Sequence, residues 1–329
     1  MTAPLLLGTA SWTDRPLIDS GRFYPPQAKN AEARLRHYTT RYPLVEIDAP
    51  YYGLPTPEQA ARWIERTPEG FTFDVKAYSL FTEHPTPVAR LPKAIRAVLP
   101  PDLEAKGRFY RRDTPDEILD LCWSSYTDAL LPLHDAGRLG AVVLQFPKWF
   151  VPGPRAFATL EETRDRLGPF RGAVEFRQRR WLEPEQREET LALLGDLDLS
   201  LICVDAPQGF DSSLPPFAAA TNTLAFVRFH GRNTATWERR TRTSSERFDY
   251  WYDAAELDEW VPRIEALARE AEAVHLIVNT NNHDQGPVNA DLLQQRLEEH
   301  GLALVPAFEA VETPPSAPRG VPEQQGSLL

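Results

Sequence analysis

Cysteine is almost absent from this chain. Cys122 and Cys203 lie far apart and form no C-x-x-C pair. A disulfide framework and a thiolate zinc site therefore lack their residues, and free thiols in a reducing compartment are expected. Long apolar runs are missing as well. No stretch approaches the ~20 residues of a membrane span, and the N-terminal segment has neither the basic nor the long apolar part of a signal peptide. The expectation is a cytoplasmic protein with no membrane partner. Basic residues are outnumbered: the net charge is -11 and the pI near 5.2. That counts against a general nucleic-acid binder, while leaving room for a local basic groove. Several motifs are absent too. No G-x-G-x-x-G follows the first strand, and there is no G-x-S-x-G, H-x-H or H-E-x-x-H.

What is present suits a large core. The chain has 329 residues with 42% hydrophobic content, enough for one large domain or two small ones. Its 31 prolines are too many for helix interiors and are best placed in loops and first helical turns. Residues 313–329 are rich in Pro, Ser, Gly and Gln, so this tail is expected to be disordered, behind a domain spanning 1–312.

Short apolar runs alternate with helical spacing along that domain. Strands are expected at 5–12, 44–52, 71–78, 139–147, 172–177, 199–206, 224–230 and 274–281. Helices are expected near 28–41, 57–66, 115–136, 155–167, 184–194, 254–270 and 289–300. This is the α/β pattern of a single (β/α)₈ TIM-type barrel. A doubly wound sheet would want the missing glycine motif, and two domains would want a linker.

Strand side chains alternate between faces. Taking the polar face of each strand as the lumen gives Glu46 and Asp48, Asp74 and Lys76, Gln145, Glu175 and Arg177, Asp205, Arg228 and His230, then Asn279 and Asn281. Glu46 and Asp74 lie deep and read as a structural salt-bridge layer. The others lie toward the strand C-terminal ends, where barrel sites are built. The stretch Leu224–Asn233 is the most loaded, with Arg228, His230, Arg232 and Asn233 around Gly231.

The motifs GTASW, FYPP, VEIDAPYY, FDVKAYSLFTEH, LGAVVLQFP, AVEFRQRRW, VRFHGRN and RFDYWYDAAELDEW, taken in this order, resemble the domain-of-unknown-function 72 family, also called YecE-like proteins. The resemblance runs from Gly8 to about Asn289. It implies a TIM-type barrel and no reaction, because the family has no established activity. The chain departs from the family's usual pattern at Asp48, where Asn is common, and at Ala49–Tyr52. It also departs at Glu83, which separates Thr82 from His84.

The residue types then favour some chemistries over others. A glycosidase wants two flanking carboxyl groups, and Gln145 and Arg228/His230 stand at the usual positions. A divalent metal would draw on Glu175, Asp205 and His230, but Arg177 and Arg228 in the same layer would repel it. No cofactor is therefore expected, with a divalent metal kept as the alternative. A Lys76 Schiff base is disfavoured by the acids nearby. The strongest element is anion binding by an arginine cluster. An enzyme acting on a phosphorylated small molecule follows, as a hydrolase, lyase or isomerase. His230, Glu175, Asp205 and Lys76 are its expected catalytic groups. Arg177, Arg228, Arg232, Asn233, Gln145, Asp48, Tyr52, His84, Trp237, Asn279 and Asn281 are expected to bind the substrate. A nucleic-acid-binding or -processing barrel is the alternative, using the arginine-rich loop 234–248 and the aromatics Trp12, Tyr51, Trp149 and Trp181. The oligomeric state is left open.

Overall fold

A computed structural model describes residues 2–239, 241 and 245–310. The tail expected at 313–329 and the boundary at 312 lie outside the described residues, as do Arg240 and Arg242.

Eight parallel strands close into a barrel. They are β1 (Leu5–Ala10), β2 (Leu44–Ile47), β3 (Thr72–Lys76), β4 (Leu139–Gln145), β5 (Gly172–Glu175), β6 (Leu199–Asp205), β7 (Leu224–Phe229) and β8 (Ala273–Val278). Sequence neighbours pair throughout, and β8 pairs β1 to close the ring. The strands are buried on both faces because each is covered by the lumen inside and by helices outside.

The main outer helices are α1 (Ala31–Thr39), α2 (Pro57–Glu65), α3 (Asp116–Asp135), α4 (Pro154–Leu167), α5 (Pro184–Asp196), α6 (Ala254–Asp258), α7 (Val261–Glu270) and α8 (Gln285–Glu299). Much of the proline content sits in first turns, as at Pro57, Pro154, Pro184 and Pro262, where no N–H is missed. Capping boxes start α2 at Thr56/Gln59 and α6 at Asp253/Glu256. Two expectations shift. The second strand stops at Ile47 and the chain turns helical over Ala49–Tyr52, with Tyr51 N–H donating to Asp48. Pro50 is well suited to that first turn and ill suited to a ladder. The helix expected over 254–270 is two, with a break at Trp260 ahead of Pro262.

Strand register assigns the lumen. Glu46 pairs level with Asp74, Gln145 with Glu175, and Ile277 with Arg228. The lower layer holds a buried Asp74–His275 pair at 2.9 Å. Gly140 makes room for it, since a Cβ there would stand 2.5 Å from Asp74 Oδ1. The upper layer holds Glu46, Glu175 and Arg228, all without exposure.

Asp205 corrects the sequence reading. Val204, not Asp205, is level with the inward Arg228, and Asp205 is level with the outward Phe229. Asp205 therefore faces the helices, and Cys203 shares that face. There its carboxylate accepts from Arg232 at 2.8 Å, from Tyr252 Oη at 2.6 Å and from Trp260 Nε1 at 2.7 Å. It is not with Glu175 and His230, so the metal set Glu175, Asp205 and His230 does not assemble. Among the described residues no three His, Cys, Asp or Glu side chains converge as metal ligands. Arg232 and Asn233 also leave the lumen. Gly231 has a φ of 80°, which ends the strand alternation. Arg232 then turns to Asp205 and Glu259, and Asn233 to the backbone of Asp249.

Asp205 thus fastens the segment after β7 to the barrel wall. Asp205→Ala should strand a buried indole N–H and a phenol and leave Arg232 to Glu259. The expected loss is about 3 kcal/mol of unfolding free energy in urea denaturation. A change below about 0.5 kcal/mol would show that the hub carries no stability.

Candidate functional site

The upper lumen is organised on Glu175, the last residue of β5. Gln145 Nε2 donates to its Oε1 at 2.6 Å, and His230 Nε2 lies 3.2 Å from the same atom. Arg177 Nε also lies against Oε1, while Arg228 donates to Oε2. The other arm of Arg228 donates to Glu46 Oε1 at 2.6 Å. Burial alone would raise the Glu175 carboxyl, but Arg177 and Arg228 outweigh it and hold it well below the ordinary range. With three groups crowded on Oε1 and Arg228 on Oε2, the carboxylate is committed to holding these neighbours rather than to general-base work.

His230 is buried in the same network. Its Nδ1 stands 2.9 Å from Asn279 Nδ2, and its Nε2 stands 3.2 Å from both Glu175 Oε1 and Arg177 Nη2. Burial pushes its pKa down to about 3, and Arg177 adds to that. The ring is neutral, with both nitrogens occupied. His230 and Arg228 therefore lie beneath the site rather than on its surface.

Above them a cavity of about 430 Å³ opens at the C-terminal mouth. Lys76, Arg177, Asp48, Gln145, Asn279 and Asn281 form its floor, and Lys148, Glu238 and Arg247 add charge to its wall. Tyr51, Tyr52, His84, Trp149, Trp237 and Phe248 supply rings. Arg177 is fixed below by Glu175 and above by Trp237, whose ring centroid is 5.0 Å from the guanidinium carbon. Trp237 is held in turn, donating its indole N–H to Ser212 at 2.9 Å. Lys76 Nζ is 3.1 Å from Asp48 Oδ1. Burial pushes His84 down to about 4, helped by Lys76 and Arg177, so it too is neutral. Of the residues expected to bind substrate, Arg177, Gln145, Asp48, Tyr52, His84, Trp237, Asn279 and Asn281 meet at this cavity with Lys76. Arg232 and Asn233 do not.

One carboxyl group was not legible in the sequence. Asp14 follows β1 in a loop, so strand alternation says nothing about it. Its carboxyl hydrogen-bonds Ser11 and Asn281 and faces Asp48 and Lys76. Burial, then the charge of Asp48, pushes it up to about 7. Asn281 Oδ1 meanwhile has no partner among the described residues. Glu46 is shifted the same way: burial raises it to about 8 despite Arg228, and Asp48 adds to the rise. For Asp48 itself, Lys76 and Arg228 outweigh burial and hold it below the ordinary range.

The family model described as "Protein of unknown function DUF72" matches residues 6–315. The chain belongs to this DUF72 family. The UPF0759 protein YunF of Bacillus subtilis (strain 168) is 27% identical over 307 residues, covering 92% of this chain and 98% of that protein. A DUF72 family protein of Enterococcus faecalis V583 superposes with a TM-score of 0.73 at 24% identity, covering 94% of this chain and all of its own. Another, from Thermotoga maritima MSB8, superposes with a TM-score of 0.70 at 24% identity over 90% of this chain and 99% of its own. These neighbours agree with the DUF72 barrel and leave its chemistry to be read from the site.

The shifted groups of this DUF72 barrel set a pH dependence. An acid raised by folding holds its proton more tightly when folded, so its stabilisation is complete below the unfolded pKa and lost as pH rises through the folded one. Asp14 and Glu46, raised from 3.8 and 4.5 to about 7 and about 8, act in this sense. His230, lowered from 6.5 to about 3, acts oppositely and costs stability as pH falls between those values. His84, lowered from 6.5 to about 4, acts with His230, so the two offset the acids below about pH 6.5; urea denaturation should therefore show stability declining from there to about pH 8, with a shallower decline in Asp14→Asn. An unchanged slope in that variant would remove Asp14 from the account.

Proposed function

We propose that this barrel is an enzyme that binds an anionic, phosphorylated small molecule at the mouth and acts on it by proton transfer. A hydrolase, a lyase or an isomerase fits. The observation that carries the reading is the fixing of Arg177. A guanidinium held between Glu175 and Trp237 presents donors to the cavity without having to be ordered on binding. Around the cavity, Lys76, Arg177, Lys148 and Arg247 face only two carboxylates, Asp48 and Glu238. The unpartnered Asn281 Oδ1 offers an acceptor to a ligand hydroxyl or amine.

The proton chemistry falls to Asp14, Asp48 and Lys76 rather than to His230. Asp14 and Asp48 sit near one another with their pKa values pushed apart, as a protonated acid and an ionised base require. Lys76 keeps Asp48 ionised and is placed to meet charge developing on the substrate. Glu175, His230 and Arg228 are positioning residues in this scheme. They hold Arg177 and Asn279 in place.

The test is thermal denaturation with inorganic phosphate, phosphorylated metabolites, divalent metals and short oligonucleotides, on wild type, Arg177→Gln and Lys76→Met. Arg228→Ala would confuse matters, since it leaves two buried carboxylates without their guanidinium. A phosphorylated ligand at a hundredfold excess over its dissociation constant should add about 2.7 kcal/mol to the wild type. It should add little to either variant. Shifts produced only by oligonucleotides, falling steeply with salt, would replace this reading with a nucleic-acid-binding one. Shifts produced only by metals would overturn it as well.

A further inference from the structure

Beside the mouth cavity lies a second depression of about 550 Å³. Trp149 is a wall of both. The second one is mainly apolar, lined by Phe150, Val151, Pro152, Pro154 and Ala156. Trp149 is 55% exposed and Val151 39%. Neither stands on a loose loop. Phe150 stacks on Phe146 at 4.1 Å, and its carbonyl accepts from Trp181 Nε1 at 2.7 Å. Prolines at 147, 152 and 154 fix the backbone around them. At the rim, Glu83 is near Arg155 at 3.7 Å, and Arg112 stacks on Tyr110 at 5.0 Å. The one carboxylate of this groove is thus paired, and nothing there repels an anionic molecule.

Two large apolar side chains held outward by a rigid link form a surface with something to cover it. Its continuity with the mouth decides what. A molecule anchored on Arg177 has Trp149 as the wall over which it leaves the cavity, and Val151 lies on the other side. The two depressions together have the size of a single small-molecule site. We infer that the groove holds the apolar end of the same ligand, so that the substrate is an organic phosphate with a hydrocarbon or aryl tail. This rests on the anion reading of the mouth and adds a second subsite to it.

The experiment compares inorganic phosphate, n-hexyl phosphate and phenyl phosphate by titration calorimetry on wild type, Val151→Asp and Val151→Leu. Val151 is at the surface, so neither change should disturb folding. In the wild type the organic phosphates should bind at least about tenfold more tightly than phosphate, a gain that roughly two buried methylene groups supply. Val151→Asp should remove that gain and leave inorganic phosphate within about twofold of wild type, while Val151→Leu should keep it. Organic and inorganic phosphate binding alike in the wild type would overturn the groove and leave the anion site standing. An equal effect of Val151→Asp on all three ligands would also overturn it. If inorganic phosphate and both esters all fail to bind, the anion site falls first and the groove with it.

Discussion

A carboxylate with no exposure inside a barrel must be surrounded by donors, and Glu175 is that carboxylate. Its two oxygens gather Gln145 from β4, Arg177 beyond β5, and Arg228 and His230 from the β7 end. Arg228 then requires a second acid and finds Glu46 on β2. The consequence reaches the surface through Arg177, which is engaged by Glu175 on one side and open to the cavity on the other. Proton occupancy decides the balance of charge. With every acid ionised, Glu46, Asp48 and Glu175 would cancel Lys76, Arg177 and Arg228. Burial raises Glu46 despite Arg228, while Lys76 and Arg228 hold Asp48 down.

The hub on the outer face of the barrel serves the same mouth. Asp205 holds Arg232, Tyr252 and Trp260, and its backbone carbonyl accepts from His230 N–H at 2.8 Å. That fixes both ends of the segment carrying Trp237, Arg247 and Phe248 over the cavity. The acid expected in the lumen thus acts on the site at one remove, through the loop it fastens.

Barrel and lumen were legible where each strand has one polar face. Lys76, Gln145, Glu175 and Asn279 follow from alternation alone, and register confirms that they share a side. The rule failed on β6, which is polar on both faces, with Ser200 level with Ala173 inside and Asp205 outside. Past Gly231 a left-handed φ ends the alternation, so nothing in the period gave the direction of Arg232, which was expected to bind substrate and turns away. Closure onto Tyr250 is the reason for glycine there, since a Cβ would stand 2.4 Å from Tyr250 Cβ. Asp14 was invisible for a different reason. It reaches the site from a loop, where no period relates position to direction.

The choice of histidine at position 230 looked catalytic because an unperturbed imidazole titrates near neutrality. Its surroundings point to another use. A protonated ring there would be a third cation beside Arg177 and Arg228, and burial removes the water that would screen it. Kept neutral, the ring joins Glu175 and Arg177 on one edge to Asn279 on the other across the lumen. A lysine or arginine at 230 would bring more charge than Glu175 can neutralise, and an aliphatic residue would leave Asn279 unoriented. Glu175 and His230 cannot change charge without breaking the layer, whereas Asp14, on the loop after β1, lies outside that network.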